Sequence, residues 1–149
     1  VETCGYARWN HVEGILAYTD VLFMDIKHMD PARHKQLTGK SNTLILENIR
    51  RAASVIAGQA KEIIIRVPVI PTLNDAEDNI RATAEFVRGL GTIKRIELLP
   101  YHTMGQAKYL RTKWTRPYSL QALEPLDGEI MQALKGIVES NGLCGEISG

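Results

Sequence analysis

Short apolar runs alternate along this chain with stretches whose apolar residues fall three and four positions apart. The runs are Val21-Leu22-Phe23-Met24, Ile63-Ile64-Ile65 with Val67, and Ile96 with Leu98-Leu99, and each is short enough to read as a buried strand. Val1-Glu2-Thr3-Cys4-Gly5 has the character of a strand's closing end. Between the runs, Val12, Ile15 and Leu16 predict an amphipathic helix over 11–18, and Asp30-Pro31 predicts an N-cap followed by proline at the first helical position, with Gly39 ending that helix. Ser41-Asn42 is expected to cap a further helix carrying Ile45, Ile49, Ala52 and Ile56 on one face, stopped by Gly58. Asp75 is expected to cap a helix over 76–90, with Ile80, Ala84 and Val87 inward and Gly91 closing it. An irregular segment over 103–124 precedes a final helix over 125–142, with Ile130, Leu134, Ile137 and Val138 facing inward.

Strands that alternate with helices imply βαβ crossovers and a parallel sheet, so the fold class is α/β. Three or four strands cannot close a barrel. Either the sheet is open or residues 1–149 are the carboxyl-terminal part of one larger barrel domain, and the second expectation suits the abrupt first strand. In such a barrel Leu22, Met24, Ile64 and Leu98 would line the interior.

Polar residues stand where these strands stop. Parallel βα units gather their chemistry at the carboxyl ends of the strands, which brings Glu2, Thr3, Asp25, Lys27, Arg66 and His102 to one mouth. Asp25 and Lys27 share a strand face, with Ile26 on the other, and an opposed pair of charges can grip a zwitterion or a ribose; the plain alternative is an ion pair at a solvated rim. Arg66 interrupts an apolar run, and a guanidinium there needs a ligand anion or a carboxylate such as Glu97 on the next strand. His102 follows a proline that frees the chain from the ladder, so it reads either as a proton-handling residue or as an ordinary loop histidine.

Composition narrows the field modestly. With 44% hydrophobic residues the chain can bury one core, and a net charge of +1 gives no electrostatic case for nucleic acid or an anionic membrane. No apolar run approaches the ~20 residues that span a bilayer. Cys4 and Cys144 lack metal-ligand spacing and read as reduced thiols of a cytoplasmic protein, so no metal ligand is assigned. Lys108, Arg111, Lys113 and Arg116 lie among Tyr109, Trp114 and Tyr118, which reads as a docking surface for a protein partner in preference to single-stranded nucleic acid or a merely solvated loop.

Taken in order, Asp25-Ile26-Lys27, the segment 34–48 (HKQLTGKSNTLILEN), Arg66-Val67-Pro68-Val69-Ile70-Pro71 with Asn74-Asp75, and Glu97-Leu98-Leu99-Pro100-Tyr101-His102 with Gly105, Lys108 and Tyr109 resemble the glycyl-radical-enzyme activating enzymes, radical S-adenosylmethionine proteins. The likeness runs from Glu2 to about Tyr109 and returns over 142–149. It implies the carboxyl-terminal part of a partial (β/α)6 barrel that works with S-adenosylmethionine and a [4Fe-4S] cluster. Such an enzyme makes a 5′-deoxyadenosyl radical, which takes a hydrogen atom from a glycine of a partner glycyl radical enzyme; flavodoxin or ferredoxin is the implied electron donor. The family's C-x3-C-x2-C cluster motif and its Gly-Gly-Glu strand do not occur in these residues.

Carried over by position, the resemblance assigns Asp25 and Lys27, with Ile26 between them, to S-adenosylmethionine, and His102 to its nucleoside end. Glu2-Thr3 matches an Asp-Thr pair near the ribose and carboxylate that, with Asp25, can hold a monovalent cation; glutamate at position 2 departs from that pair by one methylene. Arg66 matches an arginine near the reacting centre and the glycyl peptide, and is the catalytic assignment. Two rivals stand beside this reading. One is a barrel lyase or isomerase with Lys27 as a Schiff base, opposed by Asp25 because an ammonium held by a carboxylate is a poor nucleophile. The other is a non-catalytic binding module.

Overall fold

A computed structural model describes residues 1–102 and 123–148 of the 149. Five strands form one sheet in which every pairing is parallel and the spatial order is the chain order, β1 to β5. They are β1 (Glu2–Thr3), β2 (Val21–Asp25), β3 (Glu62–Val69), β4 (Arg95–Pro100) and β5 (Cys144–Ile147). The helices are α1 (Trp9–Ala17), α2 (Pro31–Thr38), α3 (Thr43–Ile56), α4 (Glu77–Leu90) and α5 (Gly128–Ser140). Parallel strands laid side by side in sequence require crossovers of one hand, which put the connecting helices on one face of the sheet. The contacts follow this rule: α1 packs on α3, α3 on α4, and α4 on α5. Helices on one side only are the arrangement of a barrel wall, in contrast to a doubly wound sheet.

The core lies between that face and the helices. Leu22, Met24 and Ile26 of the β2 segment, Ile63, Ile65, Val67 and Val69 of β3, and Ile96 and Leu98 of β4 meet Ile49, Ala52, Ile80, Val87, Leu134 and Val138 from the helices. Side chains alternate along a strand, so Phe23, Asp25, Ile64, Arg66, Arg95 and Glu97 project to the opposite face. This corrects the expected barrel lining: Leu22, Met24 and Leu98 belong to the helix-covered core, and Ile64 alone of the four stands on the concave side. A central, polar-capped strand has to satisfy two environments, and the helix-facing set is the more apolar of the two.

The predicted elements are present with shifted ends. The α2 start is as read: Asp30 accepts from the Arg33 amide at 2.7 Å, Pro31 follows, and Gly39 adopts φ 81° at the C-cap. Two caps are not. At the head of α3 the Asn42 side chain makes no cap bond, although its carbonyl accepts from the Leu46 amide and Ser41 Oγ from the Thr43 amide, and Ala76, in place of Asp75, precedes α4 with no side-chain cap. The final helix starts at Gly128, capped by Asp127, later than the expected 125. β5 extends the sheet through residues 144–147, a strand that the apolar pattern of the chain does not predict. The basic and aromatic residues 108–118, and nearly all of the irregular segment 103–124, lie outside the described residues.

Ile65 is fully buried at the centre of β3. Ile65→Ala should lower the unfolding free energy by about 3 kcal/mol, measured as a lower urea midpoint with unchanged slope; a loss well under 1 kcal/mol would contradict a close-packed core at that position.

Candidate functional site

Strand register lays the concave face out in rows. Asp25, Arg66, Glu97 and Glu146 are partners across β2 to β5, and one layer below them lie Glu2, Phe23, Ile64, Arg95 and Cys144. Arg66 lies at the centre of this array. Its Nε donates to Glu97 at 2.8 Å and its Nη1 to Glu2 at 2.9 Å, while the guanidinium stacks 3.8 Å from the centre of the Phe23 ring. Glu97 is 6% exposed, so its pairing with Arg66 is what makes a buried carboxylate tolerable there. Arg95 stands 3.5 Å from both Glu62 and Glu146. The ion-pair alternative for Arg66 is therefore present, with Glu2 as a second carboxylate.

At the end of β2, Lys27 Nζ donates to Asp25 Oδ2 at 2.7 Å, and Asp25 Oδ1 is buried without a partner. Lys27 is thus a salt-bridged ammonium at a partly open rim, unlike the unpaired amine that a Schiff-base mechanism requires. Ile26 points into the helix-side core and its amide bonds the Arg66 carbonyl at 2.9 Å, which leaves only main chain to face the mouth. Thr3 Oγ1 accepts from the Gly5 amide at 3.1 Å and so shapes the loop after β1. Gly5 has φ 69°, and a Cβ there would come within 2.6 Å of Met24 Cε; a side chain at that turn would be strained and crowded. His102 is exposed two residues past β4. Glu2, Asp25, Lys27 and Arg66 are thus linked by contacts or by register, Thr3 and Ile26 flank them, and His102 stands apart.

Four buried asparagines hold this mouth, residues that the chain's pattern marks at most as a cap or a motif position. Asn74 donates to the carbonyls of Lys27 and Pro68, each at 2.7 Å, and accepts from the Ile70 amide at 2.7 Å. Asn79 donates to the Asn74 carbonyl and accepts from the Met29 amide, both at 2.9 Å. Asn42 reaches the carbonyls of His28 and Met29 at 2.9 and 2.7 Å, and Asn48 those of Gly5 and Ala7 at 2.8 Å. Each amide replaces solvent for main-chain groups that the ladder leaves unpaired where the strands end. The turn before Asn74 holds Thr72 at φ 65°, a costly conformation for a β-branched residue, fixed here by the amides of Leu73 and Asn74 on the Ile70 carbonyl. For Asn42 and Asn74 the available signal was asparagine just after a helix stop or a strand; Asn48 and Asn79 lie inside α3 and α4 and carry no such signal.

A cavity of about 270 Å³ opens beside Asp25 and Lys27, bounded also by Cys4, Tyr6, His34 and Ile45. Cys4 and Cys144 are free and exposed, and among the described residues no three metal-ligating side chains come together. A cavity with an orphaned carboxylate oxygen beside an ammonium fits a polar organic cofactor such as S-adenosylmethionine. Two separated thiols do not fit a [4Fe-4S] cluster, which takes its Cys ligands as a set.

The chain is 40% identical over 138 residues to a protein of Nitratidesulfovibrio vulgaris named isethionate sulfite-lyase activating enzyme, covering 93% of this chain and 43% of that one. It superposes with a TM-score of 0.78 on the crystal structure of a domain of pyruvate-formate lyase-activating enzyme from Bacteroides vulgatus, at 30% identity over 100% of this chain and 80% of that domain. It belongs to the glycyl-radical-enzyme activating enzyme family. A radical SAM methyltransferase of Sphaerobacter thermophilus, at TM-score 0.69 and 14% identity, shares the fold over 99% of this chain and 39% of its own. The α/β wall is accordingly part of a partial parallel (β/α) barrel. No family model matches the chain. It spans less than half the length of the first curated relatives, 42% and 43%.

Two outcomes test the mouth of the sheet. Asn74→Ala leaves two carbonyls and one amide unpaired, so stability should fall by about 3 kcal/mol and the Ile70 amide should exchange faster with deuterium; an unchanged Ile70 amide would remove Asn74 as the clamp. His28 Nδ1 accepts from the Asp30 amide at 2.9 Å, and burial, opposed in part by Asp30, lowers its pKa below the ordinary 6.5. The unfolded chain therefore takes up that proton first, and the contribution of His28 to stability is complete above pH 6.5 and lost as the pH falls through the lowered folded-state value. His28→Asn, which keeps an acceptor for Asp30, should make the loss of stability between neutral and mildly acid pH shallower than in the unaltered protein, as read by urea midpoints across that range.

Proposed function

We propose that this chain is the cofactor- and substrate-facing part of a radical S-adenosylmethionine activase that installs a glycyl radical on a partner enzyme. The observation that carries the reading is the Asp25–Lys27 pair at the end of β2, with one buried carboxylate oxygen unbonded beside a cavity. Asp25 Oδ1 binds a hydroxyl or amine of S-adenosylmethionine, while Lys27 anchors the carboxylate and meets the anionic end of the ligand. His102 contacts the nucleoside end, and Glu2 and Thr3 lie near the ribose and carboxylate. S-adenosylmethionine supplies, on reductive cleavage, the carbon radical that takes a hydrogen atom from glycine.

The ion pairs of Arg66 use Nε and Nη1. Nη2 is left for a carbonyl of the glycyl peptide, so the arginine would orient the peptide from a position fixed by Glu97 and Phe23. A monovalent cation held by Glu2, Thr3 and Asp25 is a further part of the reading; it would have to draw Glu2 from Arg66 and Thr3 from the Gly5 amide. The cluster would come from residues other than those of this chain, and its reductant from a flavodoxin or ferredoxin. No helix among the described residues is long and apolar enough to cross a membrane. A reducing cytoplasm would keep Cys4 and Cys144 as thiols.

In the full-length protein, Asp25→Ala or Lys27→Ala should weaken S-adenosylmethionine binding by about tenfold or more in an anaerobic titration, with the cluster spectrum intact. Unchanged affinity in both variants would remove the pair from the site. A C-x3-C-x2-C motif upstream in the same protein would supply the thiolates, and its absence would sink the activase reading.

A further inference from the structure

His34 opens the segment 34–48 and bounds the cavity beside Asp25. It is 2% exposed in α2, and its Nδ1 lies 2.7 Å from the Lys40 carbonyl. A carbonyl can only accept, so Nδ1 carries the hydrogen, and the neutral ring then leaves Nε2 as an acceptor. Nε2 is buried and unbonded. Among the described residues it shares that condition with one other side-chain atom, Asp25 Oδ1. Buried polar atoms in folded proteins are nearly always paired, and here both orphans belong to residues bounding the same 270 Å³ cavity.

The chemistry of the pair selects what enters. Two acceptors call for a ligand that brings donors. Lys27, which also bounds the cavity, already bonds the other oxygen of Asp25 at 2.7 Å. A carboxylate or phosphate brings no donor and would meet the charge of Asp25. A metal ion lacks the third ligand among the described residues. Adjacent hydroxyls on a sugar ring supply two donors without charge, on a body that suits apolar walls such as Ile45.

We propose that His34 is a further binding residue, whose Nε2 accepts from a ribose hydroxyl of the nucleoside ligand held by Asp25. This rests on the reading of Asp25 and Lys27 as the S-adenosylmethionine contacts. The residue is a ligand contact, and its bond to Lys40 fixes the ring that makes the contact.

Two substitutions separate contact from scaffold. In His34→Asn the amide nitrogen takes the place of Nδ1 and keeps the Lys40 bond, with nothing at Nε2. In His34→Gln a carbonyl oxygen stands near Nε2 and the Lys40 bond is lost. In the full-length, anaerobically prepared protein, His34→Asn should bind S-adenosylmethionine about tenfold more weakly with an unchanged Tm, and His34→Gln should bind more tightly than His34→Asn despite a lower Tm. Alkylation of Cys4, which bounds the cavity, should be slowed by the ligand in the unaltered protein and less in His34→Asn, with the exposed Cys144 as internal reference. The 2′-deoxy or the 3′-deoxy analogue should lose about the same factor on the unaltered protein, an arm that needs no variant to fold. Equal affinity in His34→Asn and the unaltered protein, or full affinity for both deoxy analogues, overturns the contact; if Asp25→Ala still weakens binding, only this inference falls. No binding by the unaltered protein brings down both readings.

Discussion

A parallel strand that ends at a functional mouth exposes main-chain groups with no neighbour to pair them, and in this protein buried asparagine amides carry that requirement. An asparagine offers two donors and an acceptor on a short, stiff stem, so one residue can join two loops and the strand between them. Asn74 does this for the ends of β2 and β3, and Asn79 then holds Asn74 through its own carbonyl. The position of the Lys27 main chain, and with it the Asp25–Lys27 pair, depends on that chain of contacts. Hydrophobic burial secures the helices on the sheet; it does not by itself determine where a loop carbonyl points.

The two faces of the sheet divide the work. The helix-covered face is close-packed and apolar from β2 to β4. The concave face carries charges in register, and each cation there has a carboxylate: Lys27 with Asp25, Arg66 with Glu97 and Glu2, Arg95 with Glu62 and Glu146. Carboxylates outnumber cations in that set. The concave side therefore presents carboxylate acceptors in excess of its cations.

Much of this was legible in the chain. Periodicity located the helices and strands, because an apolar face at 3.6 or 2 residues is a local property of sequence. The Asp25–Lys27 contact also followed from alternation alone. What escaped was nonlocal. Asn42 and Asp75 have the composition of helix caps, but tertiary demand turned the amide of Asn42 to the His28 loop, and the chain placed Ala76 at the head of α4. Strand alternation cannot say which face the helices will cover, so Leu22, Met24 and Leu98 were assigned to the wrong side. β5 is short and carries glycine and glutamate, with nothing in its own residues to distinguish it from a loop until β4 pairs with it. Of the expected site, the four linked residues were identifiable from strand ends; His34 was not, because a histidine inside a polar helix shows its orphaned nitrogen only once the cavity exists.

Strand order that follows chain order has a consequence for how the protein is made. Each strand emerging from a ribosome finds its partner already laid down, one βα unit earlier, so the wall can grow by addition without waiting for distant segments. The asparagines act in the same direction. Asn48 reaches back 43 residues to Gly5, and Asn74 reaches back 47 to Lys27. The second and third units each arrive carrying a latch for the one before, and that part of the mouth is closed behind synthesis in the order in which it was written.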